Sequence, residues 1–316
     1  MAKEYEMKYI YEHGFGIEIE MTGITRERAA TVAQVVLGGT VHHVGGTYDE
    51  WCLVAPDGRK WKFVYDSSIV STGGDSYKTE LNSPVLTYGA DMATLQELVR
   101  ALKRAGAVTG VQYGCGIHIH ISASMHTAKT VKNFCNLIYA NDELVRKALG
   151  VTNARERWCR PLTTEFIEKL PACKTLEKLA DAWYGTYAPY DSRNRHYNES
   201  RYHLINLHRY FSTLGRPENT IEIRAFNASL HAGEIRAYVA FVLAMNGQAL
   251  QSARILSTKN EIMVCGNEKF AMRTWLNRIG FVGDEFKNCR EHLAKNLSGD
   301  PAWRFGRNGD LYRPAE

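Results

Sequence analysis

Three short segments of this 316-residue chain carry the side chains best suited to chemistry: Gly16-Ile17-Glu18-Ile19-Glu20, Gly116-Ile117-His118-Ile119-His120 and Thr220-Ile221-Glu222-Ile223-Arg224. In each, isoleucine alternates with a charged or metal-binding residue. Residues i and i+2 of a strand point to the same face. Each segment therefore buries isoleucine on one side and presents a polar pair on the other. Three such strands in one sheet would gather Glu18, Glu20, His118, His120, Glu222 and Arg224 on a common surface. That cluster is costly unless cations, opposing charges or an anionic ligand offset it. A divalent metal with a phosphate-bearing ligand is the simplest compensation.

Other residues extend the set. Glu18 and Glu20 are hard oxygen donors suited to Mg²⁺ or Mn²⁺. Glu80 and Asn82 repeat the i, i+2 relation in Lys78-Thr79-Glu80-Leu81-Asn82-Ser83-Pro84. Asp66 and Ser68 close the Trp61–Tyr65 stretch, where a turn cap and a ligand contact are equally open readings. His118 and His120 suit a metal or a phosphate oxygen. Arg224 can fork onto a carboxylate or phosphate while Glu222 holds a metal, or the two can form a structural ion pair. Arg201, Asn206 and Arg209 precede them and add anion contacts. Carboxylates, imidazoles and arginines spread over many strands suit phosphoryl transfer from a metal-bound nucleotide. Neither a Gly-x-x-x-x-Gly-Lys-Ser/Thr loop nor a Gly-x-Ser-x-Gly elbow occurs.

The elements that would position these residues are legible from pattern. Residues 8–22 read as a first strand, and Thr25 caps a helix to Leu37 ended by Gly38-Gly39. Trp51–Val54 and Trp61–Tyr65 flank Pro56-Asp57-Gly58, a hairpin signal. Thr79–Leu86 reads as a short strand stopped by Pro84. A helix from Asp91 buries Leu95, Leu98, Val99 and Leu102, and another runs from Thr127 to Gly150. Tyr202–Tyr210 and Thr220–Phe226 read as strands, followed by helices from Gly233, near 268–279 and at 284–296. Residues 183–202 hold Trp183, Tyr184, Tyr187, Tyr190, Arg193 and Arg195, which either line an acceptor pocket or pack the fold. Hairpins with helices inserted between them fit an α+β fold with a largely antiparallel sheet and helices on one face.

The totals bound the function. Net charge is +5, compatible with an anionic substrate and too small to argue for nucleic acid. Seven widely spaced cysteines without Cys-x-x-Cys read as free thiols in a reducing cytosol. The charged N-terminus has no signal-peptide core, and the apolar stretch 237–253 contains Asn246, Gln248 and Gln251, so it reads as a buried helix rather than a membrane span. The expectation is a cytoplasmic protein.

In order, Phe15-Gly16-Ile17-Glu18-Ile19-Glu20, Trp61…Asp66-x-Ser68, Glu80-Leu81-Asn82-Ser83-Pro84, Cys115-Gly116-Ile117-His118-Ile119-His120, Arg201-Tyr202-x-x-x-Asn206-Leu207 and Thr220-Ile221-Glu222-Ile223-Arg224-Ala225-Phe226 resemble the amidoligase family, in the glutamine synthetase and glutamate–cysteine ligase group of carboxylate–amine ligases. The resemblance implies a glutamine synthetase catalytic-core-like curved sheet with helices on its convex side. It implies one catalytic domain over residues 1–316, with a motif core at 14–227, a helical part at 228–297 and a loose tail at 298–316. It implies an ATP-dependent ligase forming a peptide or isopeptide amide through an acyl phosphate, with Mg²⁺ or Mn²⁺. Glu18, Glu20, Glu80, His118 and Glu222 would then be metal ligands. His120, Arg201, Asn206, Asp66 and Ser68 would bind the nucleotide, and Arg224, Arg201 and Glu222 would serve catalysis. Partners would be small-molecule or peptide carboxylates and amines, with no nucleic acid or membrane. A zinc hydrolase using His118 and His120 is the alternative.

Overall fold

The computed structural model describes residues 8–216, 219–259 and 266–307. Among these, nine strands form one antiparallel sheet. They are β1 (Gly14–Met21), β2 (Thr40–Gly45), β3 (Glu50–Val54), β4 (Lys60–Val64), β5 (Thr79–Asn82), β6 (Leu86–Thr87), β7 (Gly116–Ser122), β8 (Ile205–Asn206) and β9 (Thr220–Asn227). Their spatial order is β2-β3-β4-β5-β1-β7-β9-β8, with β6 also paired to β1. The three alternating segments thus lie side by side as β1, β7 and β9.

Register decides which residues meet. Glu18 faces Asn82 on one side and His118 on the other, Glu20 faces Glu80, and Gly16 faces His120. Glu222 faces His120 and Asn206. Directly paired residues share a face. All the polar residues therefore sit on one side, and Ile17, Ile19, Ile117, Ile119, Ile121, Ile221 and Ile223 on the other, none more than 1% exposed.

A β-bulge between Ile117 and Ile119 of β7 and their β9 partners puts Ile119 opposite Ile223 but Ile117 opposite Phe226. Strict alternation would put Phe226 on the polar face with Glu222 and Arg224. The extra β9 residue turns Phe226 back to the apolar side, where its ring stacks on Tyr238 at 4.6 Å.

Helices cover the isoleucine face. α1 (Arg26–Leu37) packs on β2, β3 and β4 through small buried residues Ala29, Ala30 and Ala33. α2 (Tyr88–Arg104) packs beside it, and α3 (Ala128–Leu149) lies against β9. Thr127 and Thr130 close a reciprocal cap at the start of α3, and Gly150 ends it in left-handed conformation. α4 (Leu176–Tyr187) joins the far end. α5 (Ala232–Gln251) is buried on nearly every side, which accounts for its apolar run. α6 (Glu268–Arg278) and α7 (Lys287–Ala294) follow it, α7 lying on α5 and α6 on α7. Among the described residues, no helix is long and apolar enough to cross a membrane.

Three expectations change. Residues 8–12 are helical rather than part of β1, with Lys8 and Glu12 paired across one turn. The 202–210 strand shrinks to Ile205–Asn206, because Asn206 accepts from the His208 N–H and starts a short helix, His208–Ser212. The tail is less loose than expected up to residue 303: Asn267 donates to the carbonyls of Asp300 and Trp303, and Glu268 accepts from Ser298. Residues 308–316 lie outside the described residues. The described cysteines are buried free thiols, and Cys265 lies outside the described set.

Ile119 is the middle of the buried face, fully enclosed. Ile119→Ala should cost about 3 kcal/mol, typical of emptying a packed aliphatic site. A urea-unfolding loss below about 1 kcal/mol would mean that this face is not the close-packed core described.

Candidate functional site

The polar face holds two groups of convergent ligand atoms, Glu18–His120–Glu222 and Glu20–Asp66–Glu80, each mutually within 4.8 Å. His118 lies between them. Its Nδ1 is 2.9 Å from Glu18 Oε2 and 3.5 Å from Glu222 Oε1, while its Nε2 is 3.7 Å from Glu20 Oε1. His120 Nε2 is 2.9 Å from Glu18 Oε1, close but without hydrogen-bond alignment.

Each carboxylate is held by the neighbouring backbone or side chains. Glu20 Oε2 accepts from the Gly116 N–H at 2.6 Å. Asn82 Nδ2 donates to Glu80 Oε1 at 2.9 Å, leaving Asn82 Oδ1 buried and unpaired. Asn206 Nδ2 donates to Glu222 Oε2 at 2.6 Å, and Arg224 pairs with Glu222 Oε1. Asp66 Oδ1 accepts from the Ser68 N–H at 2.6 Å, so the turn cap and the carboxylate cluster coexist at Asp66.

The sheet does not close the site alone. Arg155, on the short helix Asn153–Glu156, reaches over β7 and is 4% exposed. One of its terminal nitrogens lies 3.3 Å from His118 Nε2 and donates to the Arg224 carbonyl, while its Nε has no partner. A Cβ at Gly116 would fall inside the Arg155 guanidinium, so glycine at that position is what admits the arginine to the sheet surface. Trp158, from the same segment, accepts from Arg224 Nε. Sequence reasoning missed Arg155, because residues 151–200 lack strand alternation; the glycine at 116 was the only local signal.

Other expected residues divide. Asn206 is committed to Glu222 on one side and the His208 N–H on the other, so it orients that carboxylate. Arg201 lies over the Tyr197 and Tyr202 rings and donates to the His196 carbonyl, with its Nε buried and unpaired. Arg209 donates to Thr220. In the 183–202 stretch, Trp183 and Tyr184 are core residues, Trp183 edge-on to Phe166 and Tyr187. Tyr190 is exposed, and Arg193 and Arg195 make surface ion pairs with Asp181 and Asp191. That segment crosses to the β2–β3 turn through a 2.9 Å contact between the Tyr197 and Tyr48 hydroxyls.

The electrostatics are unbalanced. Five carboxylates (Glu18, Glu20, Asp66, Glu80 and Glu222) share this surface with two buried guanidiniums, Arg155 and Arg224. Burial, then the charge of Asp66, pushes Glu20 up to about 8. Burial, then Glu18, Glu20 and Asp66, holds Glu80 well above the usual carboxylate range. On the other side, burial is outweighed by the positive neighbours. Arg224 brings Glu222 down to about 2, and His120 brings Glu18 well below normal. Burial and then Arg224 lower His118 to about 4, so its imidazole is neutral and free to ligate. Burial opposes protonation of His120, but the Glu18 charge raises it overall. Protons or cations must supply the remaining positive charge on the Glu20–Glu80 side.

This has a testable sign. A carboxyl raised from 4.5 to about 8, as at Glu20, contributes stability that is complete below 4.5 and lost as pH rises toward 8. His118 acts oppositely, but only below its ordinary 6.5. The metal-free melting midpoint should therefore fall between pH 6.5 and 8, Glu20→Gln should flatten the fall, and Mg²⁺ should oppose it by binding the deprotonated form. A wild-type midpoint that is level over this interval, or a slope unchanged in Glu20→Gln, would overturn this electrostatic account.

Among known proteins, no curated sequence matches the chain. Two solved structures are similar in outline: a bifunctional glutathione synthetase from Pasteurella multocida (13% identity, TM-score 0.44, covering 98% of this chain and 52% of that one) and a Plasmodium falciparum glutamine synthetase (13%, 0.36, 80% and 55%). The chain thus spans about half the length of each. Residues 12–246 match the protein family described as "Putative amidoligase enzyme". That span contains all nine strands and both ligand groups of the polar face, and on that match the chain belongs to the amidoligase family.

Proposed function

We propose that this protein joins a carboxylate to an amine at the expense of ATP, through an acyl phosphate, on the polar face of its sheet. The observation that carries the reading is the convergence of five carboxylates, Glu20 and Glu222 among them buried, in two adjacent groups of ligand atoms served by only two buried guanidiniums. Family membership supports an amide-forming ligase.

The donor chemistry fits divalent cations. Glu20, Asp66 and Glu80 form an all-oxygen set suited to Mg²⁺, and Glu18, His120 and Glu222 a mixed set that also suits Mn²⁺. His118, neutral between them, is available to either. Bound cations would neutralise phosphate oxygens and favour attack at phosphorus. The chain's own groups do the rest. Arg224 and Arg155 offer fixed positive charge beside the ligand groups, where charge on a transferring phosphoryl group would develop. Arg201, with its unpaired Nε, and His120 and Ser68 are further phosphate contacts. Asn206 and Asn82 hold Glu222 and Glu80 in place, and strand mounting keeps the set rigid.

In the first half-reaction a substrate carboxylate oxygen bonds to the γ-phosphorus while the bond to ADP breaks. In the second the amine nitrogen bonds to the acyl carbon as the bond from that carbon to the phosphate oxygen breaks, and the nitrogen gives up its proton to the departing phosphate. The acid and amine are small-molecule or peptide carboxylates and amines, joined in a peptide or isopeptide bond. A zinc hydrolase is less well supported, because an all-oxygen group is a poor zinc site and His118 lies among three carboxylates.

Thermal denaturation with Mg²⁺ alone, ATP alone and both should show a large rise only with both, since ligand binding to the native state raises its stability. Phosphate release should need both a carboxylate and an amine. Glu18→Gln should lower that release roughly 100- to 1,000-fold, on the scale of losing one transition-state contact, without unfolding the protein. An ATP-insensitive midpoint in every metal, with zinc-dependent hydrolysis that His118→Ala abolishes, would replace the ligase with the hydrolase.

A further inference from the structure

A third group of ligand atoms lies away from the sheet. His231, Glu234 and His292 each offer one atom within 4.8 Å of the other two. His231 caps the N-terminus of α5, Glu234 is in its first turn, and His292 is in the last turn of α7. The two imidazoles are 5.0 Å apart between centroids at 61°. The chain between His231 and Glu234 runs through Gly233. A Cβ there would lie 2.7 Å from His292 Nε2 and 3.2 Å from His231 Nδ1. Its backbone is not left-handed, so conformation does not demand glycine. What glycine provides here is room for two imidazole nitrogens.

We propose that His231, Glu234 and His292 form a binding site for a zinc-class divalent cation that fastens α7 to the start of α5. Two imidazoles and one carboxylate make a set that zinc accepts, with water as the fourth ligand. First-row cations of the zinc and copper end of the series bind nitrogen-rich sets most tightly, which separates this site from the oxygen-rich sheet face. The positive end of α5 opposes a cation, but the negative end of α7 meets it at the same place and offsets that field. Glu234 is at present shared between the Lys295 ammonium and the Ser229 hydroxyl. Binding would draw one carboxylate oxygen from Lys295 and replace the 3.3 Å bond from the Glu234 N–H to His231 Nδ1. Both changes fall at a partly exposed surface. The site ties residues inside the family-matched span, 231 and 234, to a residue beyond it, 292.

Zinc binding to the full-length, tag-free, metal-stripped protein, measured against a chromogenic chelator in excess Mg²⁺, tests this. The wild type should bind one zinc, and His292→Gln and Glu234→Gln should each bind it at least tenfold more weakly. Glu18→Gln should bind it as the wild type does. Zinc should raise the wild-type melting midpoint and not that of His292→Gln. Should His292→Gln fail to fold without metal, Glu234→Gln decides. Zinc affinity unchanged in the variant that folds, or zinc binding lost in Glu18→Gln, would overturn the proposal; the latter would assign the zinc to the sheet face.

Discussion

Crowding of like charge on one face of a β-sheet is the constraint on which this structure turns. Glu18, Glu20, Glu80 and Glu222 come from three different strands, and register sets them against one another or against histidines. Asp66 joins from a turn. Buried carboxylates at this spacing are tolerated only with hydrogen bonds and positive charge supplied in place. The rest of the site is that supply: the Gly116 N–H on Glu20, Asn82 on Glu80, Asn206 and Arg224 on Glu222, and Arg155 laid over the sheet.

The opposite face makes this possible. Its isoleucines are fully buried, with α3 against β9 and α5 against β7, so the strands cannot shift register without exchanging the two faces. A one-residue slip would bury the charges and expose the core. The β7–β9 bulge shows the same logic at one residue. It changes the facing of β9 after Arg224, keeping Glu222 and Arg224 on the polar side and Phe226 with Tyr238 in the core. The hydrophobic layer thereby holds the polar atoms at fixed separations, as the proposed phosphoryl transfer would require.

The two halves of the polar face differ in a way that carries chemical meaning. Around Glu18 and Glu222, Arg224 and His120 keep the carboxylates ionised; around Glu20 and Glu80, burial and mutual repulsion favour protons. A cation bound in the second half would compete with protons, which would couple its occupancy to pH. His118, uncharged and in reach of both, separates them without adding charge of its own.

Much of this was legible in the chain alone. Period-two alternation marked Glu18, Glu20, His118, His120, Glu222 and Arg224 as facing one way, because strand geometry leaves no other arrangement. Thr25, Thr127, Gly38 and Gly150 marked helix ends, because capping is local chemistry between neighbours in sequence. Strand order was not local. That β5 lies between β4 and β1 while β7 lies on the other side of β1 depends on which faces bury together. Nor could alternation reveal the bulge that turns Phe226 inward, the two-residue length of β8, or the arrival of Arg155 over Gly116 from an irregular segment. The sequence by itself determined which side chains each strand presents; only the tertiary structure decided which strands lie together and what closes over them, because those choices are made by packing between residues far apart in the chain.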